Sequence, residues 1–408
     1  MQHNNKKEIL RRAAGRGLMA GVLALAVSGF AGCSDNDSDV PAADSDVLQM
    51  LPYTSPMHVV TRAEIDGVTV PDNYLDYSEL YPQADEQYAT IGVFMTPQST
   101  AISSFIYKGE NRWSSQVYAT NGDTYYIYGF MPKEMAQSAS IAKLDGADDY
   151  SGGATLSIVG MPVVVASDPS VVVGVQDVQV DVTETDGTTT ITPQKGEVKL
   201  GTFKYVGKEK GKNFVRLLLD HLYAGINFCF QVDDTYSELR SIRLRQLEFK
   251  CNSYSTVDCA VTVQANTENT NPLTNVAFTG LQTGTSTATV YRQTRDDIEF
   301  DDLTIDDGLI PTVTEATAEG GKPLNVLGCF LPSNDGVASS LSIIVTYDVY
   351  DKAGNLIREG VTAENKVPGI TGLSRGDLHT LTITVIPTYL YQLSDPDLDN
   401  PTIKISNQ

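Results

Sequence analysis

The feature that most limits what this chain can fold into is its rhythm. Runs of Val, Ile, Thr, Tyr and Phe alternate with polar residues, and Gly, Asn-Gly, Asp-Gly or Pro interrupts them about every ten positions. "TIGVFM" (90–95), "TYYIYGFMP" (124–132), "SVVVGVQDVQVDVTE" (170–184), "GINFCFQV" (225–232), "CAVTVQA" (259–265) and "HTLTITVIP" (379–387) all follow it. A period of two sends successive side chains to opposite faces of a pleated strand. "SLSIIVTYDVYDKAGNLIREGV" (340–361) is the plainest hairpin: Ile343, Val345, Tyr347 and Val349 share a face and "DKAGN" reverses the chain. A helical period is expected only around "KEMAQSASIAK" (133–143), as one short helix. Short strands with frequent turns predict an all-β protein: two tandem Greek-key-like β-sandwich domains, transthyretin-like, rather than a parallel α/β sheet.

The N-terminus reads as an export signal. Lys6, Lys7, Arg11, Arg12 and Arg16 precede the apolar run 17–31, which is too short to span a bilayer, and small residues Ala31 and Gly32 lead into Cys33. That order predicts a lipoprotein signal peptide over 1–32, with the Cys33 thiol acylated and the protein anchored to a membrane rather than threaded through it. Residues 33–47, rich in Asp and Ser, read as a flexible acidic tether. The Lys/Gly segment "YVGKEKGKN" (205–213) is the best internal break, giving domains over 48–205 and 206–408.

The formal charge is −22, and removing residues 1–32 takes away five basic residues and one acid and leaves −26. Such a surface repels phosphate backbones, so nucleic acid is excluded as a partner. Beyond Cys33 there are four cysteines, at 229, 251, 259 and 329. Four cysteines allow three connectivities and spacing does not decide among them; Cys251 and Cys259 flank "NSYSTVD", which has the look of a hairpin, so theirs is the bridge to consider first, with buried free thiols as the alternative. His58, His221 and His379 have no histidine or metal-spaced carboxylate beside them, and His221 reads as a hydrogen-bonded structural residue. No phosphate loop or nucleophile elbow is present in the sequence. The acidic runs 296–308 and 394–401 are turn-rich, with calcium as the functional alternative for them, and "RGD" at 375–377 reads as a turn before a strand. No catalytic residue, metal or cofactor is expected, and the protein is not expected to be an enzyme.

Signal, tether and β-rich body together resemble the fimbrillin family, the lipoprotein-derived pilin subunits of Bacteroidales. "IGVFM" (91–95), the lone tryptophan in "NRWSS" (111–115) and "TYYIYGFMP" (124–132) fall in the order usual for that family's N-terminal domain. "VRLLLDHLYAGINFCFQV" (215–232) with "LRSIRLRQLEF" (239–249), then "YDVYDKAGNLIREG" (347–360) and "LSRGDLHTLTITVIPTYLY" (373–391), resemble its second half. The resemblance implies a surface pilus or fimbria at the outer membrane that supports adhesion and colonisation. In that scheme an arginine-specific protease removes the N-terminal segment with its lipid. A strand from a neighbouring subunit then fills the groove left behind, in head-to-tail donor-strand exchange.

On this chain the implied cut falls between Arg62 and Ala63, and the displaced strand runs from Val47 to Thr61 with Leu48, Met50 and Val59 or Val60 facing inward. Residues 54–56 are expected to interrupt its ladder. The implied donor tail, 394–408, alternates only through Ile403 and Ile405, which leaves shaft, tip and lipid-retaining anchor positions open; a host or bacterial surface receptor is a further implied partner. The alternative class is a surface glycan-binding lipoprotein of a polysaccharide-uptake system. One Trp counts against an aromatic glycan platform, while 20 Tyr keep it in view.

Overall fold

The structure, a computed structural model, describes residues 45–54, 58–59, 75–76, 90–107, 113–115, 117–185, 188–193, 199–292, 308–318, 324–389 and 396–407. Strands dominate it, as the period of two predicts. The largest sheet has nine strands. Across it run Leu75–Asp76, Gln49–Thr54, Phe214–His221, Ser170–Asp177, Thr124–Met131, Thr90–Thr96, Ile102–Tyr107 and Trp113–Ser115, with Lys204–Val206 also paired to Thr124–Met131. Thr90–Thr96 is buried at every position, because its sheet neighbours flank it on both edges and its two faces are covered.

A four-stranded sheet joins Ser138–Lys143, Gly153–Pro162, Tyr254–Gln264 and Leu273–Thr283 in that order. Two further sheets are built from the second half of the chain. In one, Leu324–Leu331, Ala224–Val232, Asp377–Tyr389 and Pro396–Asn407 lie side by side, with the short strand His58–Val59 also on Asp377–Tyr389. The other runs Ser286–Arg292, Arg240–Cys251, Leu341–Asp351, Leu356–Lys366. Phe228 of the first meets Phe249 of the second edge-on, ring centroids 5.4 Å apart. The chain passes repeatedly from one of these sheets to the other, as sandwich connections do.

Several expectations are met in detail. Ile343, Val345, Tyr347 and Val349 are buried on one face of the predicted hairpin. Its turn is closed by the Asp351 carboxylate, which accepts from the backbone N–H of Ala353 and Asn355. Others are corrected. The helix expected over 133–143 is a single 3-10 turn, Lys133–Met135, followed by the strand Ser138–Lys143 paired to Gly153–Pro162. Tertiary pairing overrides a weak local preference there.

The break at 205–213 does not separate the sheets. Phe214–His221, beyond it, pairs with Ser170–Asp177 and Gln49–Thr54, and Tyr254–Gln264 pairs with Gly153–Pro162. Strands of the two halves are interleaved, and Pro41–Gln408 forms one compact unit. Nor is "NSYSTVD" a hairpin: Arg240–Cys251 and Tyr254–Gln264 belong to different sheets. Cys251 and Cys259 are both buried and free of any disulfide, so the bridge considered on the hairpin reading is not formed. Each packs as a small apolar side chain within the core.

Burial pushes the Cys259 thiol up to about 12 and that of Cys329 well above its ordinary value, so neither carries thiolate at neutral pH. In a chain lacking residues 1–33, titration with an aromatic disulfide reagent at pH 8 should leave Cys251, Cys259 and Cys329 unreacted in the native state. The same titration in guanidinium should count four thiols. A denatured count of two would instead show a disulfide.

Candidate assembly site

The strand expected to be removable is built into the largest sheet near its edge. Gln49–Thr54 runs parallel to Phe214–Leu219 in an unbroken register, Gln49 opposite Phe214 and Thr54 opposite Leu219. On its other side, among the described residues, Leu75–Asp76 alone pairs with it, opposite Tyr53 and Thr54. A proline at position 52 suits such a place, since an edge strand tolerates the loss of one donor. Leu48 is 0% exposed and Met50 3%, both within the core that also holds Val117, Val215 and Leu217. Two side chains with this burial contribute about 1.5–3 kcal/mol each. Leu48 and Met50, two of the positions expected to face inward, are therefore buried.

The interruption expected at 54–56 takes the form of a change of sheet. Gln49–Thr54 belongs to the nine-stranded sheet, whereas His58–Val59 lies parallel to Asp377–Leu378 in the five-stranded one. Val59 is thus in a strand, and Val60, Arg62 and Ala63 lie outside the described residues, as does Cys33. Leu378 pairs with Gly225 on its other edge, so His58–Val59 shares an edge of Asp377–Tyr389 with the C-terminal strand. That strand, Pro396–Asn407, sets Ile403 opposite Val385, Ile405 opposite Ile383 and Asn407 opposite Leu381. Ile405 packs half-buried on the core. The tail is therefore an edge strand, and the first strand lies one short strand, Leu75–Asp76, in from the edge of its sheet.

The tether ends sooner than its composition suggests. Ser45–Val47 is already a strand, antiparallel to Tyr118–Thr120, and the Leu48 N–H donates to the Val117 carbonyl at 2.8 Å. Its anchor is Asp46. One carboxylate oxygen accepts from the Gly211 N–H at 2.5 Å and from Asn213 Nδ2 at 3.4 Å. Asn213, 1% exposed, organises the loop around that contact: its Oδ1 accepts from the Tyr205 hydroxyl and the Lys208 N–H, both at 2.8 Å. Its own carbonyl accepts from the Gln49 N–H at 2.8 Å. Burial, followed by the charges of Asp177 and Asp46, raises the Tyr205 hydroxyl above its ordinary range, so it stays a donor. Sequence reading took this Lys/Gly loop for a linker; an asparagine closing a Gly/Lys run was its one visible sign.

A second polar cluster ties the end of Phe214–His221 to the five-stranded sheet. Arg375 Nη1 donates to Asp220 at 2.8 Å and Asn271 Nδ2 donates to the same oxygen at 2.5 Å. His221 Nδ1 stands 2.5 Å from Asp168, whose same oxygen accepts from the Ser170 hydroxyl. His221 is thus the structural residue expected. Arg375 of the "RGD" triplet is engaged inside the molecule, and Asp377 opens a strand.

No protein-family model matches the chain, and no curated protein sequence is significantly similar to it. Among solved structures, the fold is similar to candidate cell adhesion proteins of Bacteroides fragilis (11% identity, TM-score 0.36, covering 89% of this chain and 98% of that one) and Bacteroides uniformis (11%, 0.35, 90% and 98%). A fimbrial protein of Bacteroides vulgatus matches at 11% identity and TM-score 0.30, covering 89% and 98%. These neighbours are adhesion and fimbrial proteins, at an identity too low to assign any residue here a role.

Burial opposes ionisation of Asp220, but the charges of Arg375 and His221 and the hydrogen bonds from Asn271 and Arg375 outweigh it and hold its carboxyl below the usual range. A depressed folded value stabilises above the unfolded value of about 3.9 and is lost as pH falls through the folded one. Arg375→Ala removes a charge-assisted bond worth about 1.5–3 kcal/mol and should lower Tm and move acid unfolding to higher pH. An unchanged Tm and acid transition would show that the pair contributes nothing.

Proposed function

We propose that the protein is a structural, non-enzymatic subunit of a surface fimbria, exported as a lipoprotein through Cys33 and assembled by strand exchange. The observation that supports this reading most is the first strand. It buries Leu48 and Met50 completely enough to leave a groove if withdrawn, yet among the described residues one full-length neighbour holds its backbone. A strand so placed can be replaced by another of like pattern, because backbone groups supply the affinity and alternate side chains the register.

Cleavage after Arg62 frees the segment that holds the first strand and His58–Val59 together with its lipid. An extended strand of a neighbouring subunit then takes the place of Gln49–Thr54 along Phe214–Leu219. The contact is head-to-tail and propagates as a fibre rather than closing as a dimer. Adhesion is the role this assembly serves, with the outer membrane as its site.

N-terminal sequencing of the protein from the cell surface, paired with electrophoresis of unboiled samples, tests the proposal. The expected result is a start at Ala63 and a detergent-resistant ladder of multimers. A uniformly lipidated Cys33 terminus without a ladder would refute strand exchange.

A further inference from the structure

The anchor of the first strand carries a statement about its replacement. Asp46 is clasped by the Gly211 N–H and Asn213 Nδ2, and it lies two residues before Leu48 and four before Met50. The clasp is formed by a loop that depends on its glycines. Gly211 sits at φ +79, where a side chain is strained, and at Gly207 an added Cβ would stand 2.0 Å from the Thr120 carbonyl oxygen. Two lysines of the loop are committed elsewhere: Lys208 pairs with Asp177 at 2.5 Å and Lys212 with Glu209 at 2.9 Å. When the first strand leaves, the Gly211 N–H loses its acceptor, while Asn213 Nδ2 keeps the Lys208 carbonyl at 3.1 Å, and a part-buried donor left without a partner is costly.

Resting on the exchange reading above, we infer that this slot selects an incoming strand with an acid or amide side chain at the Asp46 place and apolar residues two and four positions on, the first of them with a free backbone N–H. The last condition comes from Leu48, whose N–H donates to the Val117 carbonyl.

The chain's own C-terminal segment fails this test in every register. Placing Ile403 and Ile405 at the Leu48 and Met50 positions puts Pro401 where Asp46 stands. Placing Asp399 there instead puts Pro401 at the Leu48 position, which has no N–H to give Val117. Asp395 and Asp397 each bring another aspartate to the Leu48 position, and Asn400 brings Thr402 and Lys404 into the core. The occupant is therefore a neighbouring subunit's strand that carries the acid-x-apolar-x-apolar pattern, and not the 395–405 segment.

The test uses the full mature chain with an engineered protease site between Arg62 and Ala63, cut and then incubated with labelled synthetic peptides. A peptide of residues 43–54 should be retained by the protein through gel filtration. Its Asp46→Ala counterpart should bind about tenfold or more weakly, and a peptide of residues 395–407 should not be retained. Equal retention of the Asp46→Ala peptide, or retention of the 395–407 peptide, overturns the selection rule while leaving strand exchange standing. Failure of the 43–54 peptide itself to bind overturns strand exchange, and the rule with it.

Discussion

The parallel ladder between Gln49–Thr54 and Phe214–Leu219 is the pairing on which the architecture turns. Phe214–His221 is buried along nearly its whole length, with Val215, Leu217, Leu218 and Leu219 at 0% exposure. Ser170–Asp177 satisfies one of its edges. Among the described residues, the other edge is held by the N-terminal strand, drawn from more than 150 residues away. A strand so apolar with an unpaired edge is unstable in water and prone to pair with whatever extended chain it meets. The same physics that makes the first strand necessary for the folded subunit makes the site competent to hold a second chain.

Around that ladder the sheets interlock. Strands from both halves of the chain form the sheet that contains Gly153–Pro162 and Tyr254–Gln264, and Asp220, Arg375, His221 and Asp168 fasten the end of the central strand to its neighbours. Displacing the first strand therefore does not require the rest to open. The ladder between Gly153–Pro162 and Tyr254–Gln264 holds the halves together by backbone bonds independent of the slot.

The all-β class, the 340–361 hairpin and the inward placement of Leu48 and Met50 were legible in the sequence, because alternation encodes which face is buried and needs no knowledge of partners. What it does not encode is which sheet a strand joins. Cys251 and Cys259 are close in sequence and belong to different sheets; 205–213 has the composition of a linker and serves as a clasp. Both misreadings have one origin. Long-range pairing decides them, and composition reports only local preference. Asp46 was hidden for the same reason, since a run of aspartates looks solvated until a backbone N–H 165 residues onward is seen to meet one of them.

The most direct measurement is hydrogen exchange, read by mass spectrometry, of the backbone amides in Phe214–Leu219 in three states: the uncut chain, the chain after its first strand is withdrawn, and the assembled fibre. The account predicts protection in the first, rapid exchange in the second and protection restored in the third. Protection that stays unchanged through all three states would contradict it.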